Sequence, residues 1–69
     1  MENWKIIYHE NEVITAGDLG RVTFYDDTSK EKIKRVDNGE LFLTALTHSP
    51  DHGFLATGNT VGDLYITTL

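Results

Sequence analysis

Two stretches of this chain share one layout about 40 residues apart, a separation that points to a repeated supersecondary unit rather than to a single hairpin. The later stretch runs from His48 to Ile66 and reads His-Ser-Pro-Asp-His-Gly-Phe-Leu-Ala-Thr-Gly-Asn-Thr-Val-Gly-Asp-Leu-Tyr-Ile. Ser49-Pro50-Asp51 predicts a turn: Pro50 pre-sets φ at the second turn position, Asp51 can bond its own backbone, and Gly53 can supply a positive φ. Phe54 to Thr57 then reads as a short strand, which Gly58-Asn59-Thr60-Val61-Gly62 bends back into Asp63-Leu64-Tyr65-Ile66. The earlier stretch, Val13 to Tyr25, has the same order of strand, glycine-bounded turn and strand. Alignment sets Gly17 against Gly58. With one residue inserted in the later turn, it sets Gly20 against Gly62, Val22 against Leu64 and Phe24 against Ile66.

The remaining segments complete two meanders. Trp4 to Tyr8 is dense in aromatic and β-branched residues and predicts a first strand, followed by the polar turn His9 to Glu12. Trp4 reads as an inner-strand core residue, or else as an exposed contact residue of the kind that dominates interfaces. Val13 to Ala16, Arg21 to Tyr25 and Lys32 to Val36 give three more strands, separated by Gly17-Asp18-Leu19-Gly20 and Asp26-Asp27-Thr28-Ser29. Asp18 is placed to cap its tight turn by bonding a backbone N–H two residues on. Leu41 to Thr47 could form a short helix, but it is too short to stand alone and the repeat requires a strand there. The chain is therefore expected to be all-β, with a four-stranded meander over residues 1–37 and a three-stranded one over 38–69.

Bulk properties narrow the class. A chain of 69 residues makes one small domain at most, with a modest buried fraction and marginal stability. It has no cysteine, which removes disulfides and thiolate metal sites and suits a reducing, intracellular compartment. No apolar run approaches the length of a membrane span, and the start Met1-Glu2-Asn3-Trp4-Lys5 does not read as a secretory signal. The net charge of −5 argues against direct nucleic-acid binding, because that affinity rests on cations neutralising phosphates. Most of the six basic residues fall in Lys30-Glu31-Lys32-Ile33-Lys34-Arg35. On an extended strand Lys30, Lys32 and Lys34 would share a face, either as a partner contact or as the charge that keeps an outermost strand soluble.

Catalytic and metal chemistry find no constellation. His48 and His52, with Asp51 between them, have the spacing of a small metal site but sit across a proline turn, and no third ligand is close in sequence. Ser49 lies in no nucleophile elbow, and neither glycine-rich turn opens a helix, so neither is a phosphate loop. No cofactor is implied, and the chain is not expected to be an enzyme. The final segment, Asp63 to Leu69, carries one charge and no proline. As an outer strand it is an edge able to capture another strand, by self-association or from a partner.

Ser49-Pro50-Asp51, Leu55-Ala56-Thr57-Gly58, Ala16-Gly17-Asp18 and Val22-Thr23-Phe24-Tyr25-Asp26 resemble the repeat of WD-repeat β-propellers, and the likeness extends over nearly the whole chain. It implies about one and three-quarter four-stranded antiparallel propeller blades of an incomplete ring. Tyr25 stands where that family usually has Trp, Thr67-Thr68 where it has Trp-Asp, and Asn38-Gly39 where it has Gly-His. Loss of the family's His and Trp implies blades held mostly by packing. Gly17, Asp18, Tyr25, Asp26, Ser49, Pro50, Asp51, Gly58 and Gly62 are the implied turn and blade positions, and Trp4, Lys30, Lys32 and Lys34 the candidate partner contacts. Lys32 to Gly39 and Leu55 to Gly62 are similar to the branch of the family found in RNA-decay and transcription-elongation complexes. That likeness implies a protein-interaction scaffold in nucleus and cytoplasm whose partners are other subunits or missing blades. The competing expectation is a truncated product without independent activity, since so few blades cannot close a ring.

Overall fold

The computed structural model describes residues 4–51 and 53–69. Among these the chain is all-β: β1 Lys5–His9, β2 Glu12–Ala16, β3 Arg21–Asp26, β4 Lys32–Asp37, β5 Leu43–His48, β6 Phe54–Asn59 and β7 Leu64–Thr68. The strands form two antiparallel sheets in sequence order, β1-β2-β3-β4 and β5-β6-β7. No helix forms over Leu41–Thr47. β5 occupies most of that stretch and begins at Leu43, leaving Leu41 and Phe42 in the passage between sheets.

Period-two alternation explains the core. β2 and β3 pair Ile14 with Phe24 and Ala16 with Val22, so these four side chains line one face of the first sheet. Leu43 of β5 and Leu55 of β6 meet them from the second sheet, and all six are fully buried or nearly so. Ile7, Val36, Leu46 and Leu69 pack around this cluster. Each large apolar side chain buried in this way contributes about 1.5–3 kcal/mol, and so few of them make a small core. Trp4 is not among them. It precedes β1, is 47% exposed, and lays its indole over Gly17, where a Cβ would stand 2.8 Å from the ring.

The two hairpins differ in register from the sequence alignment. β2 and β3 set Ala16 opposite Val22, whereas β6 and β7 set Thr57 opposite Tyr65. Tyr65 rather than Leu64 is therefore the structural counterpart of Val22. The later turn is longer by one residue more than the alignment inserts, and a single-residue slip turns a whole strand over. Leu64 and Ile66 accordingly face outward, 71% and 58% exposed, while their aligned partners Val22 and Phe24 are buried. Gly58 also moves: it lies inside β6, paired with Leu64, and the turn proper is Thr60 to Asp63.

The two sheets are joined at one seam. After β3 and β4 the chain crosses at Asn38, whose backbone N–H donates to Gly20 O at 2.7 Å; Leu43 N–H then donates to Gly17 O at 2.8 Å. The Asn38 amide Nδ2 donates to Thr57 Oγ1 at 2.8 Å, and both residues are buried. Beside the apolar packing, a buried polar bond thus crosses the junction. Gly20, last residue of a 3₁₀ turn over Asp18–Gly20, has φ 71°. A Cβ there would lie 2.6 Å from Gly39 O and 2.7 Å from Asn38 O.

Gly20→Ala therefore combines a left-handed backbone with a clash against two main-chain carbonyls. Gly62, at φ 90°, has open space where its Cβ would go. Urea unfolding should show Gly62→Ala costing about 1–2 kcal/mol, the left-handed term alone, and Gly20→Ala at least about 2 kcal/mol more.

Candidate interaction surfaces

The Ser-Pro-Asp turn closes as its residue types dictate, and its polar atoms are consumed in doing so. Ser49 Oγ donates to Asp51 Oδ1 at 2.6 Å and accepts from the backbone N–H groups of Gly53 and Phe54, both at 3.0 Å. Asp51 Oδ1 also accepts from Gly53 N–H at 3.0 Å, and Ser49 N–H donates to Phe54 O at 2.9 Å. Gly53 does this without adopting a positive φ. Pro50 is exposed at the tip. Ser49 is thus a turn residue, and His48 Nδ1 lies 3.1 Å from the neighbouring Ser49 O. His52, the second histidine of this stretch, falls outside the described residues. Among those described, no group of three or more His, Asp or Glu side chains is arranged to hold a metal ion.

Asp26 organises the β3–β4 turn. Its Oδ1 accepts from Thr28 N–H at 2.8 Å and Ser29 N–H at 2.9 Å. These bonds, Ser29's foremost and Thr28's next, hold its carboxyl below the usual carboxylate range. Among the described residues Asp18 shows no comparable capping bond. It starts the 3₁₀ turn, where its backbone oxygen accepts from Arg21 N–H. Asn59 caps the last turn: its Oδ1 accepts from Val61 N–H at 3.1 Å and Asp63 N–H at 3.0 Å. Asn38, Thr57 and Asn59 are not among the turn and blade positions that the sequence implies. An asparagine at the end of a strand is the available signal for the first and last, since its short amide competes for local backbone groups.

The lysines do not form a stripe. A β-bulge sets Phe24 opposite Lys34 and Tyr25 opposite Lys32, so these two lysines pair with residues on opposite faces of the first sheet. Lys34 Nζ sits 4.7 Å from the Phe24 ring centroid, a cation–π contact on the inner face. Lys30 is in the turn with φ 67°, bonded to Asp27 O.

Two outer faces remain open. On the first sheet Ile6, Tyr8, Val13 and Tyr25 align through the pairs Tyr8–Val13–Tyr25, and Ile6 and Tyr8 are well exposed. On the second, Phe54, Leu64 and Ile66 are exposed beside Ala56, and a shallow groove of about 340 Å³ is lined by Thr47, His48, Ser49, Phe54, Ala56 and Ile66. A second, more polar groove of about 380 Å³ lies at the seam, lined by Leu19, Arg21, Arg35, Asp37, Gly39 and Glu40. Arg35 Nε pairs with Asp37 Oδ1 there at 3.1 Å, an exposed pair of small energetic worth. No helix among the described residues is long and apolar enough to cross a membrane. Compared with family models, curated proteins and solved structures, the chain matches none.

The Asp26 turn gives a pH dependence with a definite sign. Its folded pKa is lowered, so its stabilisation is present above the unfolded pKa and is lost as pH falls through the folded one. NMR titration should place the Asp26 carboxyl below its value in the urea-unfolded chain. Asp26→Asn should lose less stability than the parent between neutral and acid pH; equal acid sensitivity of the two would contradict the assignment.

Proposed function

We propose that this chain is a segment of a WD-repeat β-propeller and serves as a protein-interaction scaffold. One observation carries the reading: two successive antiparallel meanders pack core face to core face while each turns a second apolar face, Ile6-Tyr8-Val13-Tyr25 and Phe54-Ala56-Leu64-Ile66, toward solvent. A sheet apolar on both faces suits the interior of a stack, where repeats bury what a neighbour leaves uncovered. The bond from Asn38 to Thr57 supports the same reading. It joins the residue standing for Gly-His to the Thr of the Ala-Thr-Gly segment, replacing one polar link of that family's blade with an amide.

The narrower reading is the WD-repeat subunit shared by the superkiller RNA-decay complex and the polymerase-associated factor complex, on the strength of Lys32 to Gly39 and Leu55 to Gly62. Its partners are other protein subunits or further blades, with nucleic acid and membrane outside its reach and no catalysis of its own. Nucleus and cytoplasm follow from that likeness. The alternative remains a fragmentary propeller product without independent activity.

Open faces and the unguarded β7 edge make self-association the expected behaviour of the 69-residue chain. Sedimentation and thermal unfolding over a range of concentrations should show mass and Tm rising together, and Leu64→Lys with Ile66→Lys should suppress both changes. A monodisperse monomer with a sharp, concentration-independent transition above about 60 °C would overturn the incomplete-propeller reading. A short RNA titrated at about 150 mM salt should show no micromolar complex.

A further inference from the structure

We propose that Asn38-Gly39 is a modification site, a deamidation centre that the seam between the two sheets holds closed. The chemistry needs only water. Water takes the proton of the Gly39 main-chain N–H, the nitrogen attacks Asn38 Cγ, a C–N bond forms, the Cγ–Nδ2 bond breaks, and Nδ2 takes up a proton from water and leaves as ammonia. Water then opens the five-membered succinimide at either carbonyl, leaving aspartate or isoaspartate at position 38. Nothing is oxidised or reduced. Glycine is the most permissive following residue, because no side chain shields the attacking nitrogen.

In the folded chain the leaving amide is held. Nδ2 is bonded to Thr57 Oγ1 at 2.8 Å in a buried position, and the Asn38 backbone N–H is bonded to Gly20 O at 2.7 Å. The Asn38 and Gly39 carbonyls lie where a Cβ at Gly20 would go, and the Tyr65 hydroxyl lies over Gly39, 2.6 Å from where its Cβ would stand. Swinging Cγ toward Gly39 N requires the bond to Thr57 to break. The reaction therefore runs from the opened state, slowed by the fraction of time the seam is open, tenfold for every 1.4 kcal/mol of opening free energy.

Either product prevents the seam from re-forming as it was. Aspartate puts a carboxylate where a neutral amide donated, in a buried setting that disfavours charge. Isoaspartate lengthens the main chain by one methylene between the bonds from Asn38 N–H to Gly20 O and from Leu43 N–H to Gly17 O. The modification thus marks chains whose two sheets have parted, and it does not depend on the propeller reading.

The test incubates the full chain at slightly alkaline pH in native buffer and in denaturing urea, followed by peptide mapping for mass change and isoaspartate. In urea Asn38 should convert ahead of Asn11 and Asn59. In native buffer its conversion should be at least about tenfold slower. Thr57→Val should raise the native rate and leave the urea rate unchanged, and Thr57→Ser, which keeps the hydroxyl, should retain the protection. If Thr57→Val fails to fold, the ratio of native to urea rates in the parent and in Thr57→Ser decides. Equal native and urea rates, or a Thr57→Val chain that folds yet stays fully protected, would overturn the proposal.

Discussion

The fold depends on the buried hydrogen bond from Asn38 to Thr57. A chain leaving one sheet to start another must bury polar groups that no strand ladder can satisfy, and each one left unpaired costs about 1–3 kcal/mol. Here one residue closes most of that account. Its backbone N–H bonds Gly20 at the end of the first sheet's tight turn, and its side chain reaches β6 of the second sheet. Gly20 must be glycine for the crossing to approach so closely, and Gly39 must be glycine for Tyr65 to lie over it. The seam thereby fixes which face of β5-β6-β7 meets the core formed by Ile14, Ala16, Val22 and Phe24.

Fixing the inner faces also fixes the outer ones. Because strand side chains alternate, Leu43, Leu55, Thr57 and Tyr65 facing inward leaves Phe54, Ala56, Leu64 and Ile66 facing outward. The first sheet repeats the arrangement with Ile6, Tyr8, Val13 and Tyr25. The last strands of the two sheets are treated differently. β4 carries lysines and a bulge, devices that discourage strand addition, whereas β7 has no charge between Leu64 and Thr68. The first sheet is protected along its β4 edge and the second is open along its β7 edge.

Most of the strand order was legible in the sequence because turn chemistry is local: Ser49-Pro50-Asp51, Gly17 to Gly20 and Asp26 to Ser29 each bend the chain with residues that carry their own reason. Registers were less legible. One residue in the turn after Asn59 decides whether Leu64 or Tyr65 faces the core, and both are plausible core residues by type. The bulge near Lys32 is similarly silent, so lysines spaced to share a face end on different ones. Trp4 reads from sequence as either an inner-strand core residue or an exposed contact residue; it is half exposed, and its place is set by the flat surface Gly17 offers. Asn38 was visible only as a departure from a pattern; its role depends on Thr57, distant in sequence and brought near by the fold.

A double-mutant cycle with Asn38→Ala and Thr57→Val, read by urea unfolding, tests the dependence of the fold on the seam most directly. If the bond joins the sheets, the two changes are coupled by about 1 kcal/mol or more, and the double variant is less destabilised than the sum of the single ones. Additivity within about 0.3–0.5 kcal/mol would mean that packing, not this hydrogen bond, holds the two sheets together, and would contradict the account.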